Sequence, residues 1–590
     1  MKSFIPSACL VVSIYALDPW RSLNSTLDGR LQKSIPVAAS CFTSYAGTPQ
    51  EVDQAACQQI REDYTLNEFR TNHAESYMNL QSEMCLSMPA DQCVLDSSIS
   101  PAGMPSSNAT CKQGSVPSYF VEVKDAADVV AAFDFAKKND VAISIKNSGH
   151  DYMLRNSGKG SLNLWTHKLQ GISHINDFVP QGCNETVGSV IVAGAGVDVD
   201  TAYHFADKHG STILGPYAPS VTISTGWVMG AGHSVLSPVY GLGADRVVEF
   251  HIVTPDGQER IVNACQNSDL FWALRGGGGG SFGVVLSATH RVEPRMPIAF
   301  ADIHLPSNAT SGDALDWVAL LLEESLQWGI DGWGGHVGGT FVTHFNPLPA
   351  LTGDNGTKAR AAFQRASDFA LKLGGTSNVA VYESFIEPWD EFLLPQDSNL
   401  GGRLGFTSSR LLPTELFADE AGRQSIIDYM KSAQALGFDP LSFYTPVTTP
   451  FVADESQKDI DEAKKGTSVT PAWYGALWHF ETSARWSAWD SSYAERLEKL
   501  TALTNVTKQS EVLGGPNGGS YYNEANPFTQ DWQNAWWGEN YERLVETKKK
   551  YDPDTLLKCW KCVGFEEEDV ALPRFSCQGK IQMDINLAFP

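Results

Sequence analysis

The chain has 590 residues, 42% of them hydrophobic and 11% aromatic, with a formal net charge of -25. It is too long for one ordinary core of roughly 100–200 residues, and no apolar run reaches the ~18–20 residues of a membrane span. The acidic balance argues against nucleic acid and anionic membranes, since phosphate binding needs clustered Lys and Arg; small molecules and neutral polymers remain as partners.

At the N-terminus, Lys2 and the mostly apolar stretch from Phe4 to Leu17 read as a signal peptide over 1–17, which implies a secreted protein. Sequons at Asn24, Asn108, Asn184, Asn308, Asn355 and Asn505 then become acceptors for N-glycans. Without Cys9, ten cysteines remain, an even number that in a secreted chain points to disulfides. Those from Cys41 to Cys111 staple an N-terminal extension over 18–114. Cys559-Trp-Lys-Cys562 reads as a further disulfide, because no second CxxC and no nearby His pair completes a zinc site; no metal is expected.

Alternating elements follow over 115–297. Ser118–Val123 is strand-like, and Asp125 is a plausible N-cap for a helix to Lys138 with Ala126, Val129, Val130 and Phe133 at helical spacing. Val141–Ile145, Val190–Ala193 and Val247–Val253 read as strands. From 298 to 513, helix-like stretches (312–327, 358–373, 414–436, 490–503) alternate with strand-like ones such as 339–345 and 474–480, which predicts an antiparallel sheet backed by helices. The tail over 514–590 carries Gly518-Gly-Ser-Tyr-Tyr-Asn-Glu524 and Trp536-Trp-Gly-Glu-Asn-Tyr541.

Three stretches carry the chemistry. Lys146-Asn-Ser-Gly-His-Asp-Tyr152 presents His150 on a Ser-Gly turn just after an apolar strand. Thr225–Ser234 (TGWVMGAGHS) with Gly241–Arg246, and then Leu274–Val285, are glycine-rich loops of the kind that bring backbone amides close to a large anionic cofactor. Gly194-Ala-Gly196 lacks the third glycine of a nicotinamide-type fingerprint, and Gly276–Gly280 is not followed by the Lys-Ser/Thr of a P-loop.

In this order and spacing the three stretches resemble the FAD-linked oxidases of the vanillyl-alcohol oxidase superfamily, and within it the berberine bridge enzyme-like group, over roughly 115–565. The resemblance implies an α+β fold: a two-lobed FAD-binding domain over 115–297, a substrate domain with the helix-backed antiparallel sheet over 298–513, and a segment over 514–590 that returns to the FAD domain. It implies FAD joined covalently to His150, whose neutral imidazole is a competent nucleophile near pH ~7. Bicovalent relatives add a cysteine where Ala218 stands in Ala218-Pro-Ser-Val-Thr222; no cysteine lies between Cys183 and Cys265, so one link is expected.

The matching positions expected to line the flavin are Lys146, Asn147, Ser148, Gly149, Asp151, Tyr152, Gly194, Val221, Gly226, Gly230, Gly232, His233, Gly283, Val284, Val285 and Asn523. A small Val221 resembles the oxygen-reactive members. By resemblance, Tyr521 is the candidate base that takes a hydroxyl proton while hydride leaves the substrate. Tyr474, His479 and Glu481 are read on one strand of the second domain, with Tyr474 and His479 as further catalytic candidates. The function implied is a FAD-dependent oxidoreductase moving hydride from an alcohol-type small molecule to flavin and then to dioxygen, giving hydrogen peroxide. A dehydrogenase with another acceptor and a non-catalytic secreted flavoprotein are the alternatives.

Overall fold

The computed structural model describes residues 19–104, 109–439, 443–453, 457–515 and 518–589. The signal segment expected over 1–17, and the sequon at Asn108, lie outside the described residues. No described helix is long and apolar enough to cross a membrane.

Three sheets organise the chain. The first contains β1 (Leu31–Lys33), β2 (Tyr119–Glu122), β3 (Ile143–Lys146) and β4 (Leu162–Trp165) in the order β1–β2–β4–β3. β2, β4 and β3 run parallel, and the crossover between β2 and β3 is helix α1 (Ala126–Asn139). Its N-terminus is fixed by Asp125, whose carboxylate accepts from the amides of Ala127 and Asp128. Val129, Ala132, Phe133 and Ala136 of α1 are buried against Val121, Leu162 and Leu164. The edge strand β1 comes from the N-terminal extension and pairs antiparallel with β2.

The second sheet is antiparallel: β5 (Ile172–Ile175), β6 (Val190–Gly194), β7 (Ser211–Ile213), β8 (Val247–Val253), β9 (Glu259–Asn263) and β10 (Val284–Pro294), in the order β9–β8–β10–β6–β5 with β7 on the far end of β10. The third has seven antiparallel strands in the order β14–β11–β13–β12–β16–β17–β15. These are β11 (Ile298–His304), β12 (Gly334–Gly338), β13 (Phe341–Asn346), β14 (Thr376–Tyr382), β15 (Gly405–Pro413), β16 (Tyr444–Val447) and β17 (Ala476–Arg485). Helices α2 (Ser311–Ile330) and α3 (Tyr493–Gly514), with Gln364–Leu373 and Glu420–Ala435, share an apolar core with one face of it. The expected α+β architecture with a helix-backed antiparallel sheet is therefore what the chain adopts.

Several elements differ from their sequence outlines for local reasons. The stretch 414–436 is two helices, because Asp419 turns extended and its carboxylate caps Gly422. The stretch 490–503 begins later and runs longer: Ser492 and Glu495 form a capping box, and the helix continues to Gly514. The strand expected over 474–480 starts at Ala476, and Tyr474 lies in the 3₁₀ turn Pro471–Gly475 before it. Register slips between Leu412/Trp478 and Pro413/Ala476, which leaves Leu477 as a bulge. Beyond it Trp478 and Phe480 join the helix-side core, while His479 and Glu481 alternate onto the opposite face.

Five disulfides pair all ten cysteines from Cys41 to Cys577. Two, Cys41–Cys57 and Cys93–Cys111, lie inside the extension as expected. A third corrects the picture of a self-stapled extension, since Cys85 is bridged to Cys577 on the C-terminal helix Ser576–Ala588. Cys183–Cys265 and Cys559–Cys562 complete the set, the latter as the structural bridge read from its spacing. The extension and the C-terminal segment share one core with the glycine-rich stretches: Tyr64, Leu80 and Met84 belong to the same cluster as Trp227, Phe271, Tyr522, Trp536 and Trp560.

Candidate active site

β3 delivers the chain into the turn that carries His150. Gly149 sits at φ +90°, and a Cβ there would come within 2.9 Å of Lys146 Cε, so both backbone and space call for glycine. The extension builds the floor of this turn. The amide of Met78 donates to Gly149 O at 3.1 Å, and Asn79 Nδ2 donates to the carbonyls of His150 and Asp151 at 3.1 and 3.2 Å. The Asp151 carboxylate accepts from the amides of Met153 and Arg155, closing the turn from the other side. His150 is half-buried, with Nε2 2.8 Å from Ser220 Oγ. Burial pulls its imidazole down to about 4, so it is neutral at neutral pH.

Ser220 belongs to the Ala218–Thr222 loop. Val221, next to it, is half-buried in a bend whose carbonyl accepts from Val199 N at 2.9 Å. The glycine run then forms one short helical turn, Gly226–Gly230, before Ala231 and Gly232 reverse the chain at positive φ. A Cβ at Gly230 would meet the Asn523 amide at 2.4 Å, and one at Gly278 would enter the Tyr522 ring at 2.3 Å. The C-terminal motif is thus seated directly on the glycine loops. Asn523 Nδ2 donates to Gly226 O (2.9 Å) and to the Tyr521 hydroxyl oxygen (2.8 Å). The Arg155 guanidinium covers the Tyr522 ring at 3.5 Å. Gly226 itself is exposed, and a Cβ there would meet nothing within 4 Å. Together with the buried, unpartnered Oδ1 of Asn147, this open backbone fits a flat, polar cofactor laid across the glycine loops beside His150.

Other residues expected at the flavin are placed by packing. The Lys146 ammonium donates to His73 O at 2.7 Å beneath the turn, and burial lowers it to about 7. Gly194 is required because a Cβ would strike Leu169 O at 2.3 Å, and Gly283 because one would strike Val253 O at 2.5 Å. Val284 and Val285 are buried sheet residues paired with Val253 and Ile252. Ser148 is buried in the turn, and Tyr152 packs on the shared core.

Where the glycine run meets β17 and the C-terminal motif, a polar cluster forms. His233 Nε2 lies 3.4 Å from Glu524 Oε2, and His479 Nδ1 lies 3.5 Å from the same oxygen and 3.3 Å from Glu481 Oε1. The Tyr521 ring stands edge-on to His233 and His479, at centroid distances of 5.3 and 5.5 Å, with Trp473 alongside. Burial, reinforced by Glu524, drives the Tyr521 phenol far above its ordinary value. Burial and the neighbouring Glu524 raise Glu481 strongly. Burial also opposes ionisation of Glu524, but His233, His479 and the hydrogen bond from Glu481 outweigh it and hold this carboxylate below its ordinary value.

Tyr474 is not part of this cluster. Its hydroxyl donates to Asp245 Oδ1 at 2.9 Å, because the 3₁₀ turn points it away from the face that carries His479 and Glu481. Sequence reasoning assigned no role to Asn79, Ser220 or Glu524. Glu524 follows Tyr521 and Asn523 directly, so the motif contained it; the other two answer to no local pattern.

A parallel β–α–β unit, an antiparallel partner sheet and a glycine-lined cradle roofed by a helix-backed sheet define an FAD-binding oxidoreductase. Residues 117–278 match the FAD binding domain family, and residues 520–559 match the berberine and berberine-like family. The FAD-linked oxidoreductase ffsJ of Aspergillus flavipes is 39% identical over 581 residues, covering 94% of this chain and 93% of that protein. The crystal structure of the VAO-type flavoprotein MtVAO615 from Myceliophthora thermophila C1 superposes with a TM-score of 0.77 at 30% identity, over 92% of this chain and 94% of that one. At 18% identity and a TM-score of 0.57, the glucooligosaccharide oxidase of Acremonium strictum, with a 6-S-cysteinyl, 8α-N1-histidyl FAD, shares the fold over 76% of this chain and 92% of its own. The chain belongs to the berberine bridge enzyme-like FAD-linked oxidoreductases of the vanillyl-alcohol oxidase superfamily.

Proposed function

We propose that this oxidoreductase is an oxidase acting on an alcohol-type small molecule, with FAD linked covalently through His150 alone and dioxygen as the terminal acceptor. The observation that carries this reading is the His150 imidazole, neutral and held by Nε2 against Ser220 Oγ at 2.8 Å. FAD, when bound, supplies the hydride acceptor and the reaction of the reduced cofactor with dioxygen to hydrogen peroxide.

The chain's own residues do the rest. Engagement of Nε2 by Ser220 leaves Nδ1 as the nitrogen for the link, the same ring position as in the histidyl linkage of the Acremonium enzyme. Ala218 removes the thiol needed for a second one. Asn523 ties Tyr521 to the glycine loop, so the phenol is positioned as a donor that orients the substrate oxygen. A free phenolate is disfavoured beside Glu524, so Tyr521 acts as a hydrogen-bond donor and not as the resting base. The small Val221 beside Ser220 supports access for dioxygen. Five disulfides and exposed sequon residues Asn184, Asn308 and Asn355 support a secreted, glycosylated protein.

The test is to denature the purified protein in acid, precipitate it and map the flavin by absorbance and peptide mass. Flavin retained on the peptide containing His150, and on no other, is the expected result; release of all flavin refutes the covalent reading. Among alcohols and sugars that bleach the flavin, peroxide formed in air marks the oxidase, and bleaching without peroxide marks a dehydrogenase.

A further inference from the structure

We infer that His233, His479 and Glu524 form a binding site for a divalent transition-metal ion of the zinc class, where the glycine run, β17 and the C-terminal motif meet. The three ligand atoms come from three separate parts of the chain: the glycine run, β17 and the C-terminal motif. They lie within 4.8 Å of one another. In a tetrahedral site with metal–ligand bonds of about 2.0–2.1 Å, neighbouring ligand atoms stand roughly 3.3–3.4 Å apart. The two histidine-to-carboxylate separations are 3.4 and 3.5 Å.

A second observation points the same way. The His479 side chain is fully buried, yet neither of its ring nitrogens makes a hydrogen bond. Nδ1 faces two carboxylates at 3.3 and 3.5 Å without hydrogen-bond geometry, as a lone pair does when it converges on a shared centre. Orphaned buried groups of this kind cost about 1–3 kcal/mol each unless something satisfies them.

The charges favour a cation as well. Glu481 and Glu524 are adjacent carboxyls, and among the described residues neither forms an ion pair with Lys or Arg. A divalent ion balances the Glu524 carboxylate, which is one of its ligands. Two imidazole nitrogens and one carboxylate suit zinc or cobalt, whereas magnesium and calcium prefer all-oxygen sets. Three protein ligands leave a fourth position for water or a substrate oxygen, and Glu481 beside His479 is placed to orient it.

The holoprotein is stripped with a chelator, its metal measured by mass spectrometry, and Zn²⁺ titrated back by calorimetry. Co²⁺ absorption beyond the flavin bands reports coordination geometry. The expected result is one equivalent of Zn²⁺ and a tetrahedral Co²⁺ spectrum. Both should be weakened in Glu524→Gln and His479→Ala by more than the roughly 10–100-fold that losing an outer-shell partner costs. Asp390→Asn, which alters the exposed Asp200–His204–Asp390 group, should leave binding unchanged. Absence of stoichiometric binding, or binding indifferent to Glu524→Gln, overturns the assignment. Glu524 is part-exposed, so this variant carries the test if His479→Ala does not fold. None of these readouts passes through flavin chemistry.

Discussion

A histidine attacks only when its ring is neutral, and burial ensures this for His150 by lowering it to about 4. In the proposed linkage, Ser220 selects the nitrogen by engaging Nε2. Replacing Ser220 by Ala should free Nε2 and lower the fraction of flavin that survives acid precipitation, while His150→Ala should abolish it; absorbance of the precipitate measures both. His344 illustrates the same physics without a role in the site. It is fully buried, burial lowers it to about 3, and neither ring nitrogen has a hydrogen-bond partner. Its folded value lies below the unfolded one of ~6.5, so the unfolded chain binds the extra proton, and stability present above pH ~6.5 is lost as pH falls toward 3. His344→Leu should flatten the acid limb of a denaturation series by up to about 1.4 kcal/mol per pH unit.

At the scale of elements, the glycine run and the C-terminal motif are two halves of one structure. Gly230→Ala sets a methyl against the Asn523 amide, which must move, taking Tyr521 with it. A clash of this kind costs roughly 1–3 kcal/mol, so the variant should melt lower and carry less flavin. Gly226→Ala is the contrasting case, because its Cβ enters open space. It should leave the melting of flavin-free protein unchanged yet reduce the flavin-to-protein absorbance ratio, since the methyl occupies the face left to the cofactor. Equal loss of melting temperature in both variants would refute the cradle.

Across the whole molecule, the extension and the C-terminal helix are bound into the flavin unit by Cys85–Cys577, which spans 492 residues of sequence. Loop-closure entropy grows with the length enclosed, so this bridge constrains the unfolded chain far more than Cys559–Cys562, which spans 3. Converting Cys85 and Cys577 to Ser should lower the melting temperature more than converting Cys559 and Cys562. The effect reaches the site, because Met78 and Asn79, which support the His150 turn, sit a few residues before Cys85.

Much was legible in the chain because it is written locally. The apolar period of α1 and its Asp125 cap, the strand-like run of β8, the turn glycine before His150 and the absent cysteine at Ala218 each depend on neighbours in sequence. The flavin family could be read from such motifs, and so could the placing of His479 and Glu481 on one strand. What the tertiary structure decided depends on residues far apart in the chain. Asn79 reaches His150 across 71 positions, and Asn523 reaches Gly226 across 297. Tyr474 shares a short motif with His479, yet a turn and a bulge send its hydroxyl to Asp245. His233, His479 and Glu524 converge only because a sheet face, a glycine loop and a returning C-terminal segment meet in space, and no spacing along a single chain records that encounter.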